Sequence, residues 1–286
     1  MKAKALILSL ALGLLAGALV LADSSALVRV FTFGDGGHGF AAATFEDDLS
    51  GSCAGGSYTS TSGHTLTCNN TTSTADDAFG FTEGVQDGKA RLFDGSNDSL
   101  SCTDAGCGFD ADPDGDFSVV AVVTPHDISS AVVIVSKWDA GSSDRGWMIQ
   151  KDTSSLVFLI SDNGIANTSV SKASAVSVGK MSVIVATYSK ATTTQSIYVD
   201  ELSVATNASA KASVHDSSAD FRVGSAHPAG AHFPGLIHYV AYIDGTALSA
   251  DQAQRTIRHF RGLLSADGTN RVIISSASPP MAMIAE

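Results

Sequence analysis

Gln86-Asp-Gly-Lys-Ala-Arg-Leu-Phe-Asp-Gly-Ser-Asn-Asp-Ser-Leu100 decides how this chain is read. It reads as a turn, a short strand, a tight Asp94-Gly95 turn and a second strand. Gly tolerates the positive φ of such turns, and Asp and Asn hydrogen-bond back onto the local backbone. Beyond it, runs of strand length recur: Phe117–Val123, Val132–Lys137, Trp147–Lys151, Leu156–Ser161, Met181–Tyr188, Gln195–Val199, Phe221–Val223 and Leu236–Ile243. Ala90–Phe93 is the strand inside the quoted stretch, and Val28–Phe33 alternates well enough to precede it. Turn signals separate the runs at Asp139-Ala-Gly141, Asp162-Asn-Gly164 and Asp244-Gly245. Asn163-Gly164 is a favoured hairpin pair. Short strands at this spacing predict an all-β fold, an antiparallel β-sandwich of the jelly-roll type. Val119 to Val123 and Met181 to Ala186 barely alternate, as strands covered on both faces do.

One short C-terminal helix is expected. Ser249-Ala-Asp-Gln252 is a capping-box pattern. Ala250, Ala253, Ile257 and Phe260 follow at helical spacing, and Gly262 is placed to end the run. Residues 263–286 add a possible strand at Arg271–Ser275 and a Pro-Pro tail.

The first 22 residues form a separate unit. Lys2 and Lys4 precede an apolar run from Ala5 to Leu21, the pattern of a secretory signal peptide with cleavage expected before Asp23. The alternative is an uncleaved apolar anchor, the one route by which this chain would meet a membrane. Residues 23–262 are then one sandwich domain, with a polar, irregular insertion at about 46–83. The whole sequence of 286 residues carries a net charge of −12, and losing the two lysines makes it more acidic still. Such a surface repels phosphate backbones, so nucleic acid is not an expected partner.

Cys53, Cys68, Cys102 and Cys107 are the four cysteines. An even count in an exported chain suggests disulfides, and sequence-local closure favours Cys53–Cys68 and Cys102–Cys107. Zinc is disfavoured, since no CxxC or neighbouring His pair accompanies them.

Several segments resemble, in order, the laminin-G-like, concanavalin A-type jelly roll. Gly-Lys-Ala-Arg-Leu-Phe-Asp-Gly-Ser-Asn-Asp98 resembles the family's opening. Phe117-Ser-Val-Val-Ala-Val-Val-Thr-Pro125 and Gly146-Trp-Met-Ile149 follow. Ala186-Thr-Tyr188 with Ile197-Tyr-Val-Asp200 comes next. Phe221-Arg-Val-Gly224, Phe233-Pro-Gly-Leu-Ile237 and Ala247-Leu-Ser-Ala250 complete the set. Ala121 and Met181 stand where many members carry Trp, and Glu201 where Gly is usual, so the chain reads as a divergent member. The resemblance implies a rigid sandwich that displays binding loops and usually does no chemistry.

Glycoside hydrolases also share this fold, and they need two carboxyl groups across the scissile bond. This chain has only Glu46, Glu83, Glu201 and Glu286, none close to another. No enzyme is expected, and a divergent glycosidase is the weakest reading. Asp110-Ala-Asp-Pro-Asp-Gly-Asp116 matches the start of a calcium loop. The twelfth position is Ala121 within a predicted strand, which excludes an EF-hand. A looser Ca2+ site from Asp110, Asp112, Asp114 and Asp116, with Asn97 and Asp98 contributing, stands beside a solvated acidic turn as the alternative. His227 and His232 share one loop but lack a third ligand, and His238 lies in a strand and reads as structural. Trp138, with Asp139 and Asn163 nearby, is the candidate sugar platform; burial of Trp138 at a strand end is the competing reading. The expected function is an exported recognition or adhesion module for a glycan or surface protein. A structural subunit that self-assembles into a virion, filament or cell-surface coat is the alternative.

Overall fold

The computed structural model describes residues 33–34, 37–38, 45–47, 49, 53, 56–60, 62–70, 74–76, 89–109, 111, 113, 115–200, 203–226 and 231–263. Residues 1–22, Asp110, Asp112, Asp114, His227 and the expected strand at Arg271–Ser275 lie outside them. In chain order the strands are β1 (Phe33–Gly34), β2 (Gly37–His38), β3 (Phe45–Asp47), β4 (Ser57–Thr59), β5 (Thr65–Asn69), β6 (Thr74–Asp76), β7 (Lys89–Asp94), β8 (Ser99–Cys102) and β9 (Phe117–Pro125). They continue as β10 (Val132–Asp139), β11 (Asp144–Lys151), β12 (Ser155–Ser161), β13 (Asn167–Ala173), β14 (Ser182–Ser189), β15 (Thr194–Val199), β16 (Ser203–Asn207), β17 (Phe221–Val223) and β18 (Pro234–Asp244). One helix follows, α1 (Ala250–Leu263).

Two antiparallel sheets form the sandwich. The front sheet runs β13-β12-β11-β10-β17-β8-β5-β4, and the back sheet β16-β15-β14-β9-β18-β7-β6, with β3 also paired to β18. The Asp94-Gly95 turn joins β7 and β8, yet these strands sit in different sheets. The quoted stretch is therefore a corner between layers rather than a hairpin. Gly95 takes φ +77°, and a Cβ there would lie 2.7 Å from Pro234 Cβ.

The core fills the space between the layers. Phe117, Trp147, Phe158, Tyr188, Phe221 and Tyr242 are almost fully buried. Trp147 and Tyr242 stack with ring centroids 5.5 Å apart, and the indole N–H of Trp147 donates to Ala111 O at 2.8 Å. The pleat accounts for the unbroken apolar runs. Val119, Ala121 and Val123 face this core, while Val120 and Val122 face outward. On that outer side Val120, Val122, Val183, Val185, Tyr239 and Ala241 meet Leu248, Ala253, Ile257 and Phe260. The helix thus makes a third layer that seals the back sheet. The capping box forms as expected: Ser249 N donates to Gln252 Oε1 at 2.9 Å, and Gln252 N to Ser249 Oγ at 3.3 Å. Ala250, expected on the packed side, is exposed at the first helical position.

Both expected disulfides are present, Cys53–Cys68 and Cys102–Cys107. The insertion expected to be irregular is not so throughout. Ser57–Thr59 and Thr65–Asn69 form a hairpin that extends the front sheet, and Thr74–Asp76 edges the back sheet. Thr and Ser in these segments satisfy a strand whose outward side chains meet water, so their polarity hid the strands.

Candidate functional site

The register divides the loops between two ends of the sandwich. β9 pairs with β18 from Gly235↔Pro125 to Asp244↔Phe117. Asp116 therefore lies at one end. The β7–β8 turn lies at the other, because Pro234 pairs with Asp94. The nine residues of β9 separate these ends by roughly 25–30 Å. Asn97 and Asp98 consequently do not join Asp116.

Asp98, Asp94 and Asp116 each have a structural task. Asp98 Oδ2 accepts from Asp94 N at 2.9 Å, and burial pushes its carboxyl above the ordinary range. Asp94 Oδ1 accepts from the amides of Ser96 and Asn97, and the Ser96 hydrogen bond leads in holding its carboxyl below that range. Asp116 Oδ1 accepts from Lys190 N at 2.7 Å. His232 Nδ1 lies 3.1 Å from Asp98 O and braces the same turn. Among the described residues, no group of three His, Cys, Asp or Glu is placed to hold a metal ion.

The Asp116 end of the front sheet is more coherent. Here the structure brings Trp138, Asp139 and Asn163 into one corner, built from the 139–145, 161–167 and 208–220 segments. Trp138 is not an exposed platform. It is 5% exposed and shares a small outward apolar layer with Met148 and Leu159. The Arg145 guanidinium carbon covers it, 5.6 Å from the ring centroid. The cause is pairing: Trp138 and Arg145 are cross-strand partners on the same outward face. Asp139 shapes its own hairpin, its Oδ1 accepting from Gly141 N at 2.7 Å and its Oδ2 from Ser142 Oγ at 2.6 Å. Asn163 does the same one hairpin away, its Oδ1 accepting from the amides of Ile165 and Ala166.

Asp144 ties the 139–145 segment to the 208–220 segment, and sequence reasoning missed it. His215 Nε2 lies 3.1 Å from Asp144 Oδ1, and Ser218 Oγ donates to its Oδ2 at 2.7 Å. Ser217 Oγ donates to the Asp144 carbonyl at 3.1 Å. Burial alone would raise the Asp144 carboxyl, but hydrogen bonds from Ser218, Ser217 and His215 outweigh it and hold the group below the ordinary range. Arg145 donates to Ile165 O, His215 N donates to Ser161 O, and Lys211 pairs with Asp162 at 3.1 Å. Gly164 permits the approach, since a Cβ there would sit 2.3 Å from Ser143 O. The partners of Asp144 lie 71 to 74 residues downstream, a separation that carries no local pattern.

This cross-linked corner presents an apolar tip. Ile165 is 61% exposed, its carbonyl accepting from Arg145 and its amide donating to Asn163 Oδ1 at 3.0 Å. A rigid apolar point framed by polar groups suits recognition, because fixed loops lose little freedom on binding. A carboxylate so fully engaged and so firmly ionised is poorly suited to give up a proton as a general acid.

A sandwich of two antiparallel sheets with rigid rim loops and one sealing helix defines a lectin-like class of domain. The chain belongs to the concanavalin A-like lectin/glucanases superfamily: the model of its laminin-G family matches residues 93–254, more than half of the sequence. No curated protein matches it. Among solved structures it is similar to the botulinum neurotoxin type G receptor binding domain, at 14% identity and a TM-score of 0.54, covering 76% of this chain and 51% of that one. The serotype D binding domain gives 10% identity and 0.53, covering 76% and 52%. The serotype C1 binding domain gives 11% and 0.51, covering 74% and 51%. The chain thus spans about half the length of these domains, and the likeness is one of fold. No helix among the described residues is long and apolar enough to cross a membrane.

Proposed function

We propose that this protein is an exported, non-enzymatic recognition module that binds a glycan or a glycan-bearing surface protein through the corner formed by the 139–145, 161–167 and 208–220 segments. The observation that carries this reading is the tying of the 139–145 and 208–220 segments through Asp144, with the 161–167 loop held to them by Arg145, His215 and Lys211, beside an exposed Ile165. The family supports it, since lectins are among its members, and so does the fold shared with receptor binding domains. The two disulfides and the apolar first 22 residues support export. Calcium belongs to the proposal through Asp116 and the acids that precede it in the sequence, Asp110, Asp112 and Asp114.

A glycan array, run with and without chelator, tests the reading. The wild type is expected to bind a defined set of glycans. Ile165→Ser removes the apolar contact, and Asp144→Ala unties the 139–145 segment from the 208–220 segment. Each should weaken that binding at least about tenfold, equivalent to about 1.4 kcal/mol. Loss of binding in the chelator arm would assign a role to calcium. No binding in either arm, with a high-order oligomer on sizing, would replace recognition by assembly. Turnover of a β-glucan would restore the glycosidase.

A further inference from the structure

Five Asn-x-Ser/Thr triplets occur in the sequence, beginning at Asn69, Asn70, Asn97, Asn167 and Asn207, none with Pro at the middle position. In an exported chain each is a candidate acceptor for an N-linked oligosaccharide. The fold separates them. Asn207 turns its carboxamide onto the protein, its Nδ2 donating to Ser169 O at 3.2 Å and to Gln195 Oε1 at 3.4 Å. Asn69 Nδ2 donates to Ser101 Oγ at 2.8 Å, and Asn70 Nδ2 to Asn97 O at 3.3 Å. Asn97 is exposed, yet the hydroxyl residue of its triplet, Ser99, is almost fully buried in β8. Asp94 and Asp98 draw that corner turn tight.

Asn167 differs on each count. It is the first residue of β13, an edge strand paired in its sheet with β12 alone. Val170 faces the core, so Asn167, Ser169 and Ser171 share the outer face by the two-residue period of a strand. Asn167 and Ser169 are both exposed, and neither side chain has a hydrogen-bond partner among the described residues. Thr168, the middle residue, points the other way, its Oγ1 accepting from Lys211 N at 3.3 Å. The carboxamide and the hydroxyl two residues on thus project into water from the same side of one strand. A bulky group attached there leaves the backbone pairing of β13 with β12 intact.

We propose that Asn167 is the N-glycan acceptor of this chain. The donor is a lipid-pyrophosphate-linked oligosaccharide of the secretory pathway. Asn167 Nδ2 bonds to the anomeric carbon of the first sugar. The bond from that carbon to the pyrophosphate oxygen breaks, and the lipid pyrophosphate leaves with the electron pair. One amide proton passes to solvent through the transferring enzyme. Asn167 lies two residues beyond Ile165, so an oligosaccharide on it stands beside the corner formed by the 139–145, 161–167 and 208–220 segments. Occupancy then governs access to that corner. This consequence rests on the corner being the binding site; the acceptor itself does not.

Secretion of the full-length protein from a mammalian cell line tests this. The secreted protein is treated with peptide-N-glycosidase in oxygen-18 water, which converts each glycosylated Asn to labelled Asp, and its peptides are weighed. Label is expected at Asn167 and absent from Asn69 and Asn207. Ser169→Ala removes the hydroxyl of the triplet without touching Asn167 and should abolish the label there. Ser169 lies outside the core, so this variant should keep the wild-type near-UV circular dichroism. An unlabelled Asn167 in the wild type, or label at Asn207 equal to that at Asn167, overturns the proposal. The glycan array then compares wild type with and without its own oligosaccharide. The glycosylated form should bind at least about tenfold more weakly, and equal binding overturns the shielding. Ile165→Ser should lose array binding yet keep the label at Asn167, so the corner and the acceptor are read separately. No array binding by either form overturns the corner and its shielding together, while the label alone decides the acceptor.

Discussion

Single residues here are set by what surrounds them more than by their type. His238 shows this best. It lies at an irregular step of β18, 1% exposed, with Nε2 2.9 Å from Thr124 Oγ1. Burial lowers its pKa from 6.5 to about 4. The unfolded chain therefore takes up a proton more readily than the folded one. The stabilisation is complete above about pH 6.5 and is lost as pH falls towards about 4, amounting to about 3 kcal/mol over that window. Urea unfolding at pH 7 and pH 4.5 should show a smaller acid loss for His238→Gln than for the wild type. Parallel losses would show that His238 titrates as it does in water. Tyr188 shifts the other way, up to about 12, through burial and then the nearby Asp116 and Asp162. Its hydroxyl stays protonated and donates to Lys211 O at 2.7 Å.

At the scale of elements, α1 is the most consequential. Full burial of Ile257 and Phe260 is worth about 1.5–3 kcal/mol each, far more than helix propensity supplies. Phe260 also meets Tyr239 with ring centroids 4.7 Å apart. Phe260→Ala should cost about 3 kcal/mol in denaturant unfolding, and Ser249→Ala about 1 kcal/mol through the lost cap. If both cost the same small amount, the helix does not seal the sheet. Legibility followed the same logic. Strands such as Phe117–Pro125 and Val132–Asp139 were plain because buried strands are written in Val and Ile, and the capping box marked the helix. Asn167–Ala173 was missed because it is an edge strand with a single buried apolar residue, Val170. Ser203–Asn207 was missed for a related reason, with Val204 half exposed at the other sheet's edge. In the site, Asp139 and Asn163 were visible as turn formers. Asp144 was not, since its partners lie in a distant loop. Trp138 is buried at its strand end, the reading set against the platform, but nothing local shows that Arg145 will cover it.

At the scale of the molecule, the two disulfides fasten opposite flanks of one long excursion before β9. Cys53–Cys68 closes a loop of 15 residues and ties the segment after β3 to β5, while Cys102–Cys107 closes only 5. Loop entropy assigns about 3 kcal/mol to the longer one and less to the shorter. Reduction should therefore lower the unfolding midpoint, and a Cys53→Ser, Cys68→Ser variant should reproduce most of that drop. A larger loss from the Cys102→Ser, Cys107→Ser pair would show that the 103–116 connection is the weaker point. The buried Arg91 lies close to the longer bridge, with Nη1 2.9 Å from Cys53 Sγ and its guanidinium 4.9 Å from the Tyr58 ring centroid.

The order of synthesis gives the sealing helix another meaning. Strands of both layers emerge first, and the last of them, β18, completes a face of Val120, Val122, Val183 and Val185. Until residues 250–263 leave the ribosome, that face meets water bare, at a time when neighbouring nascent chains can adhere to it. A premature stop just after Asp244 would leave a nearly finished sandwich with a sticky back. Such products should collect in inclusion bodies, whereas the intact chain hides the same valines within one more turn of translation.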